Sequence, residues 1–560
     1  MSNYQNFCLG PELMGKEILN DIIDRYKTNN LLYCQFFGVK STFGSLPDYR
    51  EASIKQRIVD IKKDIQSVER LIQKEKDDLA KFEKKLVHYK LKSELFDLEV
   101  TKPHKKSISV YAEPIANIIM VYVSRSYDTL EVRTKDIINT EKDIPTFLDT
   151  ALQVLDDVLS KPLIQMGLGF LSGINSFLES ELPNFIKGCG NQKLIEEWKQ
   201  TNDKAIASIK NFITKIKEDY MPKSKDDFKL GEKEFLNLLE ASEGIKISID
   251  KLLNTAEKDL TENYAQLEKI LSKEKSSIIE EMEKDYPEPE TLIEECQLIV
   301  NETKKYLKKS KLLTLPKDDD CEVVETPEFR RNFSIASMNL PGLAEPSEGK
   351  ETYYYITKPD SAWNKDQTVK YMKNFSRGQL HVTTIHEVFP GHFVQGLYYQ
   401  YVIKSPIIRL FSYSGSMSEG WAHYGEELIV NHGYDRYDRT KVQIGQLLGA
   451  LKRNVRFICA IKMHCRDMTI DQAQKLFIEK AHLDEGSAKM EAMRGTVEPM
   501  YLNYTLGKLM IKKLKKDVMN EKGKKFKEKD FHDSILKLGF TPILLLREQL
   551  LQKTPIEDIL

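Results

Sequence analysis

The chain has 560 residues, enough to bury a large core as several domains or one lobed one. Its 84 Lys and Arg face 85 Asp and Glu, a net charge of −1, which excludes broad electrostatic attraction to nucleic acid or to an anionic membrane surface. Hydrophobic residues at 41% and charged residues at 30% are the proportions of an ordinary soluble globular protein.

Met1 to Gly10 has neither a basic start nor an apolar run, so no signal peptide is expected, and no uncharged stretch reaches membrane-spanning length. The seven cysteines are scattered without a CxxC pair, which predicts reduced thiols in a cytoplasmic protein. Ile54, Ile58, Ile61, Ile65, Val68, Ile72, Leu79, Phe82, Leu86 and Tyr89 follow a four-then-three spacing interrupted at Glu75. That pattern predicts one long amphipathic helix or an antiparallel pair, packed on the protein's own helices in preference to an intermolecular coiled coil. Helix continues through 105–185, with a turn expected at Gly167 to Gly173. Further on, Ile206, Ile209, Ile213 and Ile216 form one helical face with Phe212 at its edge, and Tyr264, Leu267, Ile270 and Leu271 form another.

After Leu312 the composition turns to Pro, Asp and Ser. Cys321 to Glu325 and Thr352 to Thr357 are β-prone and are expected to pair as a small sheet, either a connector or an edge that holds a peptide by strand addition. Helices are predicted again at 380–403, 418–432, 440–466, 470–481, 485–494 and 500–521, with Asp471 and Ser487 as N-caps. The fold class is mainly α. It divides into an N-terminal helical lobe over 1–311, a Pro-rich connector with short strands over 312–357, and a C-terminal helical lobe with the metal site over 358–560.

Five of the ten histidines fall between 381 and 432: His381, His386, His392, His423 and His432. His386 and Glu387 are followed by His392, and a His-Glu pair with a second His nearby is how many zinc hydrolases assemble a metal and its base. Neutral imidazoles ligate the ion, and the adjacent carboxylate takes a proton from the attacking water. The common spacing is H-E-x-x-H, but here Pro390 occupies the expected place and the second His comes six residues after the first. Residues six apart on a regular helix are separated by roughly 240°. Pro390 lacks an N–H and its ring clashes with the carbonyl of His386, while Gly391 tolerates unusual backbone angles. A widened or broken turn would bring both imidazoles to one face. The alternative is a helix that stops at Phe389, a new one from Pro390, and two unrelated histidines. Glu419, expected in the first turn of the next helix, is the favoured third ligand, although a helix start facing a cation is poor electrostatics. His423 and Glu426 share its face and are alternatives, as ligands or as supports behind a ligand histidine.

The segments His386-Glu387-Val-Phe-Pro390-Gly391-His392-Phe-Val-Gln395 and Glu419-Gly420-Trp421-Ala-His-Tyr424-Gly-Glu426 resemble the HExxPGHxxQ and EGWxxYxE signatures of the domain-of-unknown-function 885 family, predicted zinc metallopeptidases. Softer agreement lies at Leu315-Pro316, at Thr326-Pro327-Glu328, and from Glu498-Pro499 through Tyr504 to Gly507. The likeness spans residues 40–550 and is strongest over 380–510. It implies a mostly helical fold similar in outline to angiotensin-converting enzyme and thimet oligopeptidase, with two helical lobes around a deep cleft. It also implies His386, His392 and Glu419 as ligands of one zinc ion and Glu387 as base. Two departures stand out: Phe393 replaces a second His that members often carry, and the Pro…Tyr segment is short and lacks its usual Gly-Gln.

On this footing Tyr504, with Tyr501 as the alternative, or Arg494 would stabilise the oxyanion. Gln395 would touch substrate, support the site or simply pack. Tyr353 and Tyr355 would line a groove or pack, and Arg453 and Arg456 would receive a substrate carboxylate or form surface salt bridges. The expected function is zinc-dependent hydrolysis of short peptides, without nucleic-acid or membrane partners and with the oligomeric state open. A second reading is a non-catalytic helical scaffold with a structural or degenerate metal site, and a third is hydrolysis of a non-peptide amide.

Overall fold

The computed structural model describes residues 11–327, 330–331, 334–345 and 352–560. Cys8 and Glu328 lie outside the described residues. The chain forms two compact units, one made of residues up to Leu159 with Ile164–Ser224, the other of Ser160–Leu163 with Lys225–Leu560. Both are mainly helical.

In the first unit the four-then-three stripe becomes two helices, α1 (Glu51–Lys74) and α2 (Asp78–Phe96). They part where Asp77 caps the second, accepting the Ala80 N–H at 2.7 Å. Arg57 meets Glu94, His88 meets Glu69 and Lys84 meets Glu75, the inverse order of an antiparallel pair. The stripe thus packs within the protein. Gly167 to Gly173 makes no turn; it lies inside α3 (Lys161–Ser180), with Gly167 against Ile108. In α4 (Gln192–Lys215), Phe212 is a fully buried centre of the apolar face and Ile206 and Ile213 flank it. Among the described residues no single helix is long and apolar enough to cross a membrane. The bent pair Asp78–Lys106 with Ser109–Ser124 has the length and composition, and Ser109–Ser124 buries most of its apolar side chains within the unit. Cys34, Cys189, Cys296, Cys321, Cys459 and Cys465 are unpaired thiols.

The second unit takes in the helices between 232 and 310, which composition groups with the N-terminal lobe, together with the small sheet. Its sheet has the order β1 (Glu322–Glu325), β3 (Tyr353–Ile356), β2 (Ala336–Asn339). β1 runs parallel to β3, with Val323 opposite Tyr354, and β2 runs antiparallel, with Met338 opposite the same Tyr354. The expected pair therefore forms, and β2 joins it as a strand whose Ala-Ser-Met-Asn sequence carries no β-branched residue.

Around one large core pack α5 (Ile249–Leu271), α6 (Arg377–Glu387), α7 (His392–Tyr401), α8 (Gly415–Asn431), α9 (Arg439–Cys465), α10 (Ile470–Ala481), α11 (Glu485–Val497) and α12 (Asn503–Lys522). Asp259 of α5 ties three of these together: it accepts from Asn454 at 2.7 Å and from the fully buried Lys508 at 3.0 Å. Two caps differ from expectation. Thr469, not Asp471, caps α10 through a reciprocal bond with Gln472, and Asp484, not Ser487, caps α11.

Candidate metal and catalytic site

The predicted helix 380–403 is two helices. α6 stops at Glu387 because the residue before a proline is disfavoured in helical conformation and Pro390 cannot donate. The Phe389–Pro390 bond is cis. Gly391 N–H turns back to Ile385 O at 3.1 Å, and a Cβ there would lie 1.6 Å from His386 O, so only glycine fits. α7 then starts at His392. The break is complete, yet the histidines are not unrelated: their rings stand 5.0 Å apart and perpendicular.

Glu419 comes from α8, which begins earlier than expected. Ser414 caps it by accepting the Met417 N–H at 3.2 Å, which puts Glu419 in the second turn and removes the first-turn electrostatic objection. The EGW signature explains itself here. Trp421 Nε1 donates to Pro390 O at 2.9 Å, pinning the break between the two histidines. Gly420 lies where a Cβ would be 2.5 Å from Gly507 Cα, so α8 and α12 touch backbone to backbone. Tyr504, one turn before Gly507, is seated by the same contact.

Glu419 Oε2 lies 3.4 Å from His386 Nε2 and 3.7 Å from His392 Nε2, and the three ligand atoms all fall within 4.8 Å of one another. Donors bonded to a tetrahedral zinc at about 2.1 Å stand about 3.4 Å apart, so the cluster fits such an ion with small adjustment. The far nitrogens are held as well. His386 Nδ1 meets Glu426 Oε1 at 2.7 Å, and His392 Nδ1 meets Gln395 Oε1 at 3.0 Å. With Nδ1 bonded in this way, Nε2 of each ring is turned toward Glu419.

Glu426 is fully buried; it also receives Arg453 at 2.9 and 3.1 Å and His423 Nδ1 at 3.3 Å. Burial opposes its charge, but Arg453, His423 and His386 hold its carboxyl well below the usual range. Glu426 therefore stands behind His386, and His423 behind Glu426. At His392 burial also works against charge, and the bond to Glu419 outweighs it, lifting the imidazole to about 9.

Glu387 is partly exposed, and its Oε2 accepts the Met338 N–H of β2 at 2.9 Å. Burial raises its carboxyl above the ordinary value, while the charges of His392 and His386 pull the other way. Tyr504 stacks near-parallel to His386 at 6.4 Å. The guanidinium groups of Arg456, Arg453 and Arg494 lie 5.0, 5.6 and 6.0 Å from its ring centre. Tyr501 is fully buried in the core against Gly495, while Tyr504 neighbours His386.

A family model described as "Bacterial protein of unknown function (DUF885)" matches residues 34–550. The chain belongs to this family. Among solved structures, "a putative lipoprotein of unknown function from Shewanella oneidensis" shares 20% identity and a TM-score of 0.78, covering 96% of this chain and 100% of that one. "The putative lipoprotein from Colwellia psychrerythraea" shares 17% identity and a TM-score of 0.79, covering 96% and 98%. At these identities the likeness is one of fold. No curated protein matches.

The remaining histidines of this DUF885 chain lie apart from the cluster. His381 bonds Tyr434 Oη at 2.8 Å and stacks on Tyr437, and His432 bonds Glu528 at the end of α8. Tyr355 is buried under Arg330 and stacked on Tyr353. Arg453 and Arg456 do not form surface bridges; they pair at the site with Glu426 and Glu491, while Arg494, the alternative oxyanion donor, pairs with the half-exposed Glu498. Sequence reasoning missed the Met338 N–H on Glu387 altogether. The hydrogen bond from His392 to Gln395 was legible only once α7 was known to start at His392, which puts Gln395 three residues on in the same turn.

Proposed function

We propose that this DUF885 protein is a zinc-dependent peptidase acting on short peptides. One observation carries the reading: His386, His392 and Glu419 aim three donors at one point, while Glu387, a carboxylate outside that donor set, stands beside them. A scaffold with a structural ion would have no use for that carboxylate. A divalent ion held by the three donors supplies Lewis acidity toward a water and a scissile carbonyl.

The protein's own groups supply the rest. Glu387, oriented by the Met338 N–H, accepts the proton of the attacking water through its other oxygen. The water oxygen bonds to the carbonyl carbon, the C–N bond breaks, and Glu387 returns the proton to the departing amine. The burial that raises the Glu387 carboxyl makes it a better proton acceptor. The Tyr504 hydroxyl donates to the developing oxyanion.

Purified protein, its zinc content and cleavage of a mixed peptide library test this against Glu387→Gln. The expected result is about one zinc per chain in both proteins and a fall in turnover of about 100-fold or more in the variant, the scale of general-base catalysis. Equal, negligible turnover in both would overturn the peptidase reading in favour of the scaffold. The solved neighbours are described as lipoproteins, which speaks for an envelope location against the cytoplasmic one suggested by unpaired cysteines; cell fractionation decides.

A further inference from the structure

Arg453, Arg456 and Arg494 surround Tyr504, and Lys452 precedes Arg453 on α9, which makes four cations. Three have carboxylate partners. Arg453 is bonded to Glu426, Arg456 to Glu491 at 2.6 and 2.8 Å, and Arg494 to Glu498 at 2.5 and 3.0 Å. Lys452 has none. Among the described residues no hydrogen-bond or ion-pair partner meets its ammonium group, and the charges nearest to it are Arg456, Glu491, Arg453 and Glu426.

Unpaired lysines are common on open surfaces, where water solvates them. Lys452 is placed differently. It keeps partial solvent access, yet burial pulls its pKa from 10.5 to about 8. A cation held in such surroundings without a carboxylate calls for an anionic visitor. Position narrows the choice. Lys452 is one helical turn before Arg456, Arg456 lies 5.0 Å from the Tyr504 ring, and that ring stacks on the ligand His386. An extended chain advances about 3.5 Å per residue, so a group bound at Lys452 is within about five residues of the metal donors. Lys452 alone of the four has no carboxylate bonded to it, which matches a singly charged group.

We infer that Lys452, with Arg456 one helical turn on, receives the free C-terminal carboxylate of the peptide, so that cleavage falls near the C-terminal end of free-acid substrates. This deepens the peptidase reading and rests on it for the cleavage, but not for the binding.

The test has a turnover arm and a binding arm. In the first, a short N-acetylated peptide and its C-terminal amide are compared for kcat/KM with wild type, Lys452→Met and Lys452→Arg. Wild type should prefer the free acid by about 30-fold, the worth of a hydrogen bond to a charged group. Lys452→Met should bring the acid down to the level of the amide and leave the amide unchanged, while Lys452→Arg should keep most of the preference. In the second, the same two peptides are titrated calorimetrically into zinc-loaded Glu387→Gln protein, with and without Lys452→Met.

Acid-selective binding that Lys452→Met abolishes supports the assignment even where no peptide is cleaved, in which case the peptidase reading alone fails. Cleavage with no acid preference in either arm, or equal losses on acid and amide in Lys452→Met, overturns the assignment and leaves the peptidase reading standing. No binding of either peptide and no cleavage overturn both.

Discussion

His386 Nδ1, Arg453 and His423 all converge on the carboxylate of Glu426, which is fully buried. Glu426→Gln keeps the shape and removes the charge, so His386 loses the partner that sets its tautomer and basicity. Zinc affinity should then fall by about 10- to 100-fold, read by competition with a chelator of known strength. An unchanged affinity would show that the carboxylate does not support the ligand. A second residue-scale expectation concerns acid. Burial opposes the charge of Glu491, but Arg456, Lys452 and Arg494 depress its carboxyl to about 2. A folded-state value below the unfolded one contributes stability above about pH 4.5, and that contribution drains away as pH falls through about 4 toward 2, up to about 3 kcal/mol in all. The melting-temperature gap between wild type and Glu491→Gln should therefore be wide at pH 7 and close toward pH 3; a constant gap would rule the ion pair out as its source. At this scale the cluster was legible, because His386, His392 and Glu419 announce themselves by residue type and the structure brings them together. For Glu426 the sequence left two roles open, as a donor itself or as a support behind a histidine. Helical spacing gives the face a side chain shares with Glu419 and His423, but not how far along that face the metal donors sit.

The contact between α8 and α12 shows what one atom does to an element. A Cβ on Gly507 would lie 1.9 Å from Ser416 O, with backbone on both sides and no flexible side chain to yield. Gly507→Ala must push the helices apart, and with them Glu419 and Tyr504. We expect a loss of about 1–3 kcal/mol from overpacking, together with weaker zinc binding. Gly173→Ala is the control: it is helical, has nothing within 4 Å, and should hold or raise the melting temperature. Equal effects of the two substitutions would mean that helix propensity, not the close approach, sets the cost. Hydrophobic period predicted most helices well, because a buried stripe is a local property of sequence. Their interruptions were harder. Val388 to Gly391 interrupts an apolar pattern that runs on through both sides, so 380–403 reads as one helix; conversely Gly167 to Gly173 looks like a turn but lies inside α3, where Gly167 alone is closely packed, against Ile108. β2 went unseen because Ala336 to Asn339 becomes a strand by pairing with β3, not by its own propensity.

For the whole chain, the change of composition after Leu312 marks the passage from helix to sheet, and the sheet packs inside the second unit, where its Met338 N–H reaches Glu387. The site is thus built within one unit, from the ends of α6 and α7 and the second turn of α8, with β2 alongside. Binding to the folded state alone stabilises it by mass action, about 2.7 kcal/mol when free ligand exceeds Kd by 100-fold. That gain should be local at first. The break from Val388 to Gly391 is held by few backbone bonds and one indole, so an ion that joins His386 to His392 bridges its two sides. Hydrogen exchange on zinc-loaded and chelator-treated protein should show protection gained at 385–396 and in the first two turns of α8, and little change in α1 and α2. Protection spread evenly over the chain, or none at 385–396, would mean that the ion binds elsewhere than between the two histidines.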